Sequence, residues 1–251
     1  MTTPLLSVRD LQKNFGALRV TDGVSFDVYP GELHAIIGPN GAGKTTLIQQ
    51  LSGLLPSSGG TVTFDGADIT RLPMADRVHL GMARSFQITS ILANLTVLEN
   101  TALAVQARSG SSFRFFRAAA KEEGLNREAM EALRTVNLAD RAHRLAASLS
   151  HGEKRQLEIA IALACRPRLL LLDEPLAGTG HEESALLIDL MRKLKGKHAI
   201  VLIEHDMEAV FALADRVSVL VYGRIIATGT PAEVRADPQV RSAYLGEEEA
   251  A

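Results

Sequence analysis

The sequence predicts an α/β protein with a mostly parallel core sheet, an antiparallel β layer and a helical lobe. From 153 onward, helical patterns and short apolar runs alternate: helix 153–164, strand 169–172, helix 182–194, strand 199–203, helix 207–214, strand 217–221. That alternation builds a parallel sheet covered on both faces. Nearer the N-terminus, short strands at 5–8, 24–28, 33–37 and 61–64 lie between tight turns such as Asp65-Gly66. Close turns between short strands point to antiparallel pairing. The composition, 46% hydrophobic and 22% charged, supplies a core, and a chain of this length can bury roughly 70% of its unfolded surface. Disordered, collagen-like and low-complexity classes are excluded.

Individual elements follow from local chemistry. The four leucines Leu169-Leu170-Leu171-Leu172 fit a strand buried on both sides. The strand at 33–37 runs into a glycine-rich turn, and a helix over 43–51 opens directly from it without a separate capping residue. From 96 to about 138 the pattern is helical, with a break around 109–112. With no repeat and no long linker, the chain reads as a single domain over 1–251, with the helical lobe at about 88–160 and a short acidic tail at 247–251.

Charge and cysteine usage narrow the function. There are 27 basic and 29 acidic side chains, a formal net charge of −2, which argues against nucleic acid as the main partner. Cys165 is the single cysteine, so no internal disulfide forms and a zinc cluster is disfavoured. Residues 1–10 lack the basic and apolar regions of a signal peptide. The longest apolar stretches are strand-length, far below the roughly 18 residues of a membrane span. The expectation is a soluble, cytoplasmic chain.

Two motifs carry chemistry. Gly38-Pro39-Asn40-Gly41-Ala42-Gly43-Lys44-Thr45 matches the phosphate-binding pattern G-x-x-x-x-G-K-[ST], after an apolar strand and before a helix. Glycines let backbone N–H groups curl around a phosphate, the helix presents its positive end, and a lysine there reaches the β/γ-oxygens. Thr45 offers a hydroxyl to Mg²⁺. The second motif is Asp173-Glu174 at the end of the leucine strand. An acidic pair after a strand is by itself often a solvated strand end. Beside a phosphate loop it is the arrangement in which Asp173 holds Mg²⁺ and Glu174 polarises the attacking water.

Between them lies Leu149-Ser150-His151-Gly152-Glu153. Read alone, it is a serine N-cap with a glutamate three residues on, a capping box. With the two phosphate motifs on either side, the chain from 5 to about 245 resembles the ATP-binding cassette (ABC) ATPases, a branch of the P-loop NTPases. The resemblance implies that Gly38, Pro39, Asn40, Gly41, Ala42, Gly43, Lys44, Thr45 and Thr46 cradle ATP. It also implies that Ser150 and Gly152 contact the γ-phosphate of ATP held by another subunit. Gln87, after Arg84-Ser85-Phe86, fits the glutamine that touches Mg²⁺ and the lytic water. His205, after Ile203-Glu204, fits the switch histidine at the γ-phosphate. Phe15, before Gly16, fits the aromatic that stacks on adenine, and a core phenylalanine is the rival reading. The cofactors implied are ATP and Mg²⁺.

Two residues depart from the usual signature: His151 replaces a glycine, and Glu153 replaces a glutamine and brings negative charge near a phosphate site. Ala177-Gly178-Thr179-Gly180, Ile203-Glu204-His205-Asp206-Met207 and the ending around Gly229-Thr230-Pro231 resemble the ATPases of branched-chain amino-acid importers. That resemblance implies a peripheral subunit at the cytoplasmic face of the inner membrane. Its partners would be membrane permeases, a second ATPase subunit and, indirectly, a periplasmic binding protein. An ABC ATPase for another solute (urea, an amide, an aromatic acid), an exporter ATPase and a soluble non-transport ABC ATPase are the alternatives. The segment Phe113-Arg114-Phe115-Phe116 reads either as an anchor of the helical lobe or as a docking element.

Overall fold

The computed structural model describes residues 3–85, 91–109 and 123–248. Gln87, the segment 113–116 and the end of the tail at 249–251 lie outside them.

Two sheets organise the chain. The first is antiparallel and four-stranded: β1 (Leu6–Phe15) lies between β2 (Leu18–Val28) and β4 (Gly59–Phe64), with the short β5 (Ala67–Asp68) at one edge. β1 and β2 are longer than the sequence predicts, 10 and 11 residues. Register shifts after Val8 and Leu11 break the alternation of apolar residues along them.

The second sheet has six strands. β3 (Leu33–Ile37) sits between β9 (Arg216–Val221) and β8 (Ala199–Ile203). β7 (Leu169–Asp173) and β6 (Met82–Arg84) follow on the β8 side, and β10 (Arg224–Gly229) closes the other edge. All pairings are parallel except β9 with β10. The three-residue β6 and the hairpin strand β10 are absent from the sequence reading, being too short or too weakly apolar to announce themselves.

Strand side chains alternate between two cores. Leu170, Leu172, Ile200 and Leu202 pack with helices α3 (Val97–Arg108), α4 (Glu123–Thr135), α5 (His151–Ala164) and α6 (His181–Leu194). Leu169, Leu171, Val201 and Ile203 face α1 (Lys44–Ser52) and the antiparallel sheet. All four leucines at 169–172 are fully buried. Helices α3, α4 and α5 contact one another. α2 (Met74–His79), α7 (Met207–Leu213), α8 (Pro231–Ala236) and α9 (Pro238–Glu248) complete the chain. Among the described residues no helix is long and apolar enough to cross a membrane.

The β9–β10 turn ties the layers together. Gly223 N–H donates to Ala42 O (2.9 Å) and Asp22 N–H donates to Gly223 O (2.8 Å).

Candidate functional site

The three motif-bearing strands are neighbours, and their C-terminal ends are level. In the parallel register Ile203 of β8 lies opposite Ile36 of β3 on one side and Asp173 of β7 on the other. The phosphate-loop sequence, the acidic pair and His205 therefore emerge at one edge of one sheet, where parallel sheets place their ligands.

The loop at 38–43 is shaped by close backbone approach. A Cβ on Gly38 would run into Leu220 O, and one on Gly43, where φ is +104°, would stand 2.6 Å from Val20 O. Gly43 is also the N-cap of α1, with no side-chain cap, so the first N–H groups of α1 are left for another acceptor. Lys44 is 8% exposed. Its Nζ folds back to donate to Gly38 O (2.5 Å) and Pro39 O (2.9 Å). Thr45 is exposed and Thr46 half-buried in the first turn of α1.

Asp173 is 1% exposed. Its Oδ2 accepts from Arg84 Nη2 at 2.9 Å. Oδ1 is buried without a hydrogen-bond partner among the described residues. Burial pushes the Asp173 carboxyl above its usual range, with Arg84 opposing. An orphaned carboxylate oxygen beside an open helix N-terminus and a threonine hydroxyl fits Mg²⁺, which takes one or two carboxylates and completes its shell with phosphates and water.

Glu174 adopts a left-handed backbone, φ +48°, a conformation that costs a non-glycine residue about 1–3 kcal/mol. Its N–H donates to Ile203 O at 2.8 Å, which carries the β7–β8 pairing one residue past the strand end. Beneath it the fully buried Glu204 accepts from Leu176 N–H (2.8 Å) and His205 N–H (3.1 Å). Burial raises the Glu204 carboxyl above its ordinary value. This carboxylate joins the loop of Glu174 to the loop of His205. In the sequence Glu204 stands only as a flank of His205, and a charged side chain just beyond the five-residue apolar strand 199–203 is its one signal. The His205 side chain is 65% exposed.

Ser150 and Gly152 open α5 and meet Glu183 of α6. Ser150 caps α5 in a capping box with Glu153, so the local helix-capping reading also describes the structure. The charge of Glu153 is met by Arg141, Nε to Oε1 3.0 Å, which answers the substitution for glutamine. His151 Nε2 lies 3.1 Å from Ala177 O, linking the signature to the loop after Glu174. Phe15, at the end of β1, is 50% exposed with Lys13 Nζ 5.1 Å from its ring centroid. It is not a core side chain.

Comparison with known proteins agrees with this architecture. The family described as "ABC transporter" matches residues 21–177. "Branched-chain amino acid ATP-binding cassette transporter" matches 224–250. The chain is 38% identical to the high-affinity branched-chain amino acid transport ATP-binding protein LivG of Escherichia coli, over 98% of this chain and 100% of LivG. It is likewise 38% identical to BraF of Pseudomonas aeruginosa over the same shares. With the lipopolysaccharide export ATP-binding protein LptB of Escherichia coli it shares 34% over 97% and 98%. A nucleotide-free ATP-binding cassette from an ABC transporter superposes with a TM-score of 0.87 at 33% identity, covering 96% of this chain and 99% of that one. The ADP conformation of such a cassette matches equally well, TM-score 0.87, at 98% and 100% coverage. A phosphate-loop α/β sheet, matched along nearly its whole length by transporter cassettes, places the chain in the ABC transporter family as an ATP-hydrolysing subunit.

Proposed function

We propose that the chain is the ATPase of an importer of branched-chain amino acids, and that it works in a pair beneath membrane permeases at the cytoplasmic face of the inner membrane. The observation that carries the chemistry is the level alignment of β3, β8 and β7, which gathers Lys44, Asp173, Glu174 and His205 at one sheet edge. The cargo rests on the relatives LivG and BraF, named for branched-chain amino acid transport. A periplasmic binding protein would deliver it. The whole of 1–251 acts as one cassette, with the lobe at about 88–160 carrying the signature.

Each side chain has a task in this reading. The loop amides of 38–43 and Lys44 Nζ bind and orient the β- and γ-phosphates, with Lys44 exchanging its two carbonyl acceptors for phosphate oxygens. Phe15 offers its exposed face to adenine. Glu174 holds the attacking water and accepts its proton, while His205 donates toward the γ-phosphate. Mg²⁺, held by Thr45, Asp173 and Gln87, would supply charge neutralisation at the phosphates. Ser150 and Gly152 receive the γ-phosphate bound on the partner, so that loss of this group reopens the pair.

Glu174→Gln tests the assignment. The variant should bind ATP, lose at least 99% of hydrolysis and accumulate as a nucleotide-filled pair. Hydrolysis at the wild-type rate would remove Glu174 from its role. Uptake of labelled leucine into vesicles carrying this chain with its co-purifying permeases tests the cargo. A second reading, an ATPase for a different cargo, is favoured by the 34% identity to LptB, an export protein. ATP-dependent transport of other solutes without leucine uptake would select it.

A further inference from the structure

The helix that opens with the signature already carries an anion. Ser150 Oγ donates to Glu183 Oε1 at 2.8 Å, and the Gly152 backbone lies directly against the same side chain. Glu183, in the first turn of α6, thus spans the N-termini of two helices, α5 and α6. The fit needs a glycine at 152: a Cβ there would stand 2.5 Å from Glu183 Cδ and 2.8 Å from its Cβ and Cγ. The bond from Ser150 holds the Glu183 carboxyl below the usual carboxylate range, so it is charged at neutral pH. A hydroxyl and a helix N-terminal amide are also what a phosphate oxygen requires. Two anions cannot share them, because like charges a few ångströms apart repel.

Building on the paired-ATPase reading above, we propose that Glu183 is an internal competitor of the partner-held γ-phosphate and sets the ATP concentration at which two subunits pair. In the unpaired subunit the carboxylate holds Ser150 and Gly152. A nucleotide that brings a γ-phosphate displaces it, and one that ends at the β-phosphate does not reach it. The displaced side chain stays at the positive end of α6, in whose first turn it lies, so it has a second place to rest. Glu183 tunes pairing and makes no bond to the reacting atoms.

The test uses the full chain carrying Glu174→Gln, titrated with ATP and with ADP, with the paired fraction read by analytical ultracentrifugation. Adding Glu183→Gln or Glu183→Ala should lower the ATP concentration at half-pairing at least threefold. Glu182→Gln, at the exposed neighbouring position, should leave it unchanged. If the parent pairs and both Glu183 variants need as much ATP or more, Glu183 is only a helix cap, whatever happens to Tm, and the inference is wrong while the pairing reading stands. If the chain stays monomeric at saturating ATP with and without Glu183, the pairing reading fails and the inference falls with it.

Discussion

Arg84 Nη2 holds Asp173 Oδ2 at 2.9 Å with the two side chains 5% and 0% exposed. The pair bridges adjacent parallel strands, β6 and β7. Removing one member of a buried pair leaves an uncompensated charge, which costs about 3–5 kcal/mol. Arg84→Ala should therefore lower unfolding stability by about that amount in urea titrations at pH 7. The double variant Arg84→Met with Asp173→Leu should lose less than Arg84→Ala alone. Equal losses would mean that the pair is electrostatically silent.

Lys44 spends its Nζ on Gly38 O and Pro39 O, a placement that draws the ammonium into the loop it would share with phosphate. Lys44→Ala should raise the Kd for a fluorescent ATP analogue at least tenfold while the far-UV spectrum stays native. Undiminished affinity would exclude Lys44 from the site.

Glu174 sits in the left-handed region, where glycine has no steric penalty. Glu174→Gly should abolish hydrolysis without loss of stability, with a gain of up to about 1 kcal/mol from relieved strain. A variant less stable by more than about 1 kcal/mol would show that the Glu174 side chain, not its backbone, holds the turn.

His34 is fully buried, with Nε2 2.8 Å from Ser218 Oγ and Ser218 Oγ 2.8 Å from Thr228 Oγ1. Burial, reinforced by the charge of Arg216, drives its pKa down to about 3. Glu32 Oε1 lies 3.8 Å from Nδ1 and does not reverse this. A histidine depressed in the fold takes up its proton only on unfolding. Its stability contribution is therefore full above the unfolded pKa near 6.5 and is lost as pH falls toward 3. Between pH 7 and pH 5 the loss from this group is about 2 kcal/mol. Urea unfolding of wild type and His34→Gln at both pH values measures it: the variant should show a shallower slope, and parallel slopes would refute the assignment.

How far the sequence speaks depends on how local each cause is. The core strands 169–172, 199–203 and 33–37 are legible because burial on both faces writes unbroken apolar runs. The phosphate loop is legible because glycine, lysine and threonine at fixed spacing have one common reason to occur together. β1 and β2 are under-read because their register shifts scatter the alternation, and β6 because three residues carry no period. The partners of the site are the least legible. Arg84 meets Asp173 across 89 positions and Glu183 meets Ser150 across 33, and no local pattern encodes such contacts. Glu153 illustrates the same point: the sequence shows a charge near a phosphate site, and only the fold shows Arg141 beside it.

The ties from Gly223 to Ala42 and Asp22, with Leu220 O and Val20 O crowding Gly38 and Gly43, give the phosphate loop a wall on each side. Its conformational entropy is surrendered when the chain folds and not when nucleotide arrives, so an incoming phosphate meets a loop already shaped. A loop so braced transmits as well as receives. A shift of the β9–β10 hairpin or of β2 would displace the phosphate cradle with it, making these strands a lever on nucleotide affinity and not merely a cover for the core.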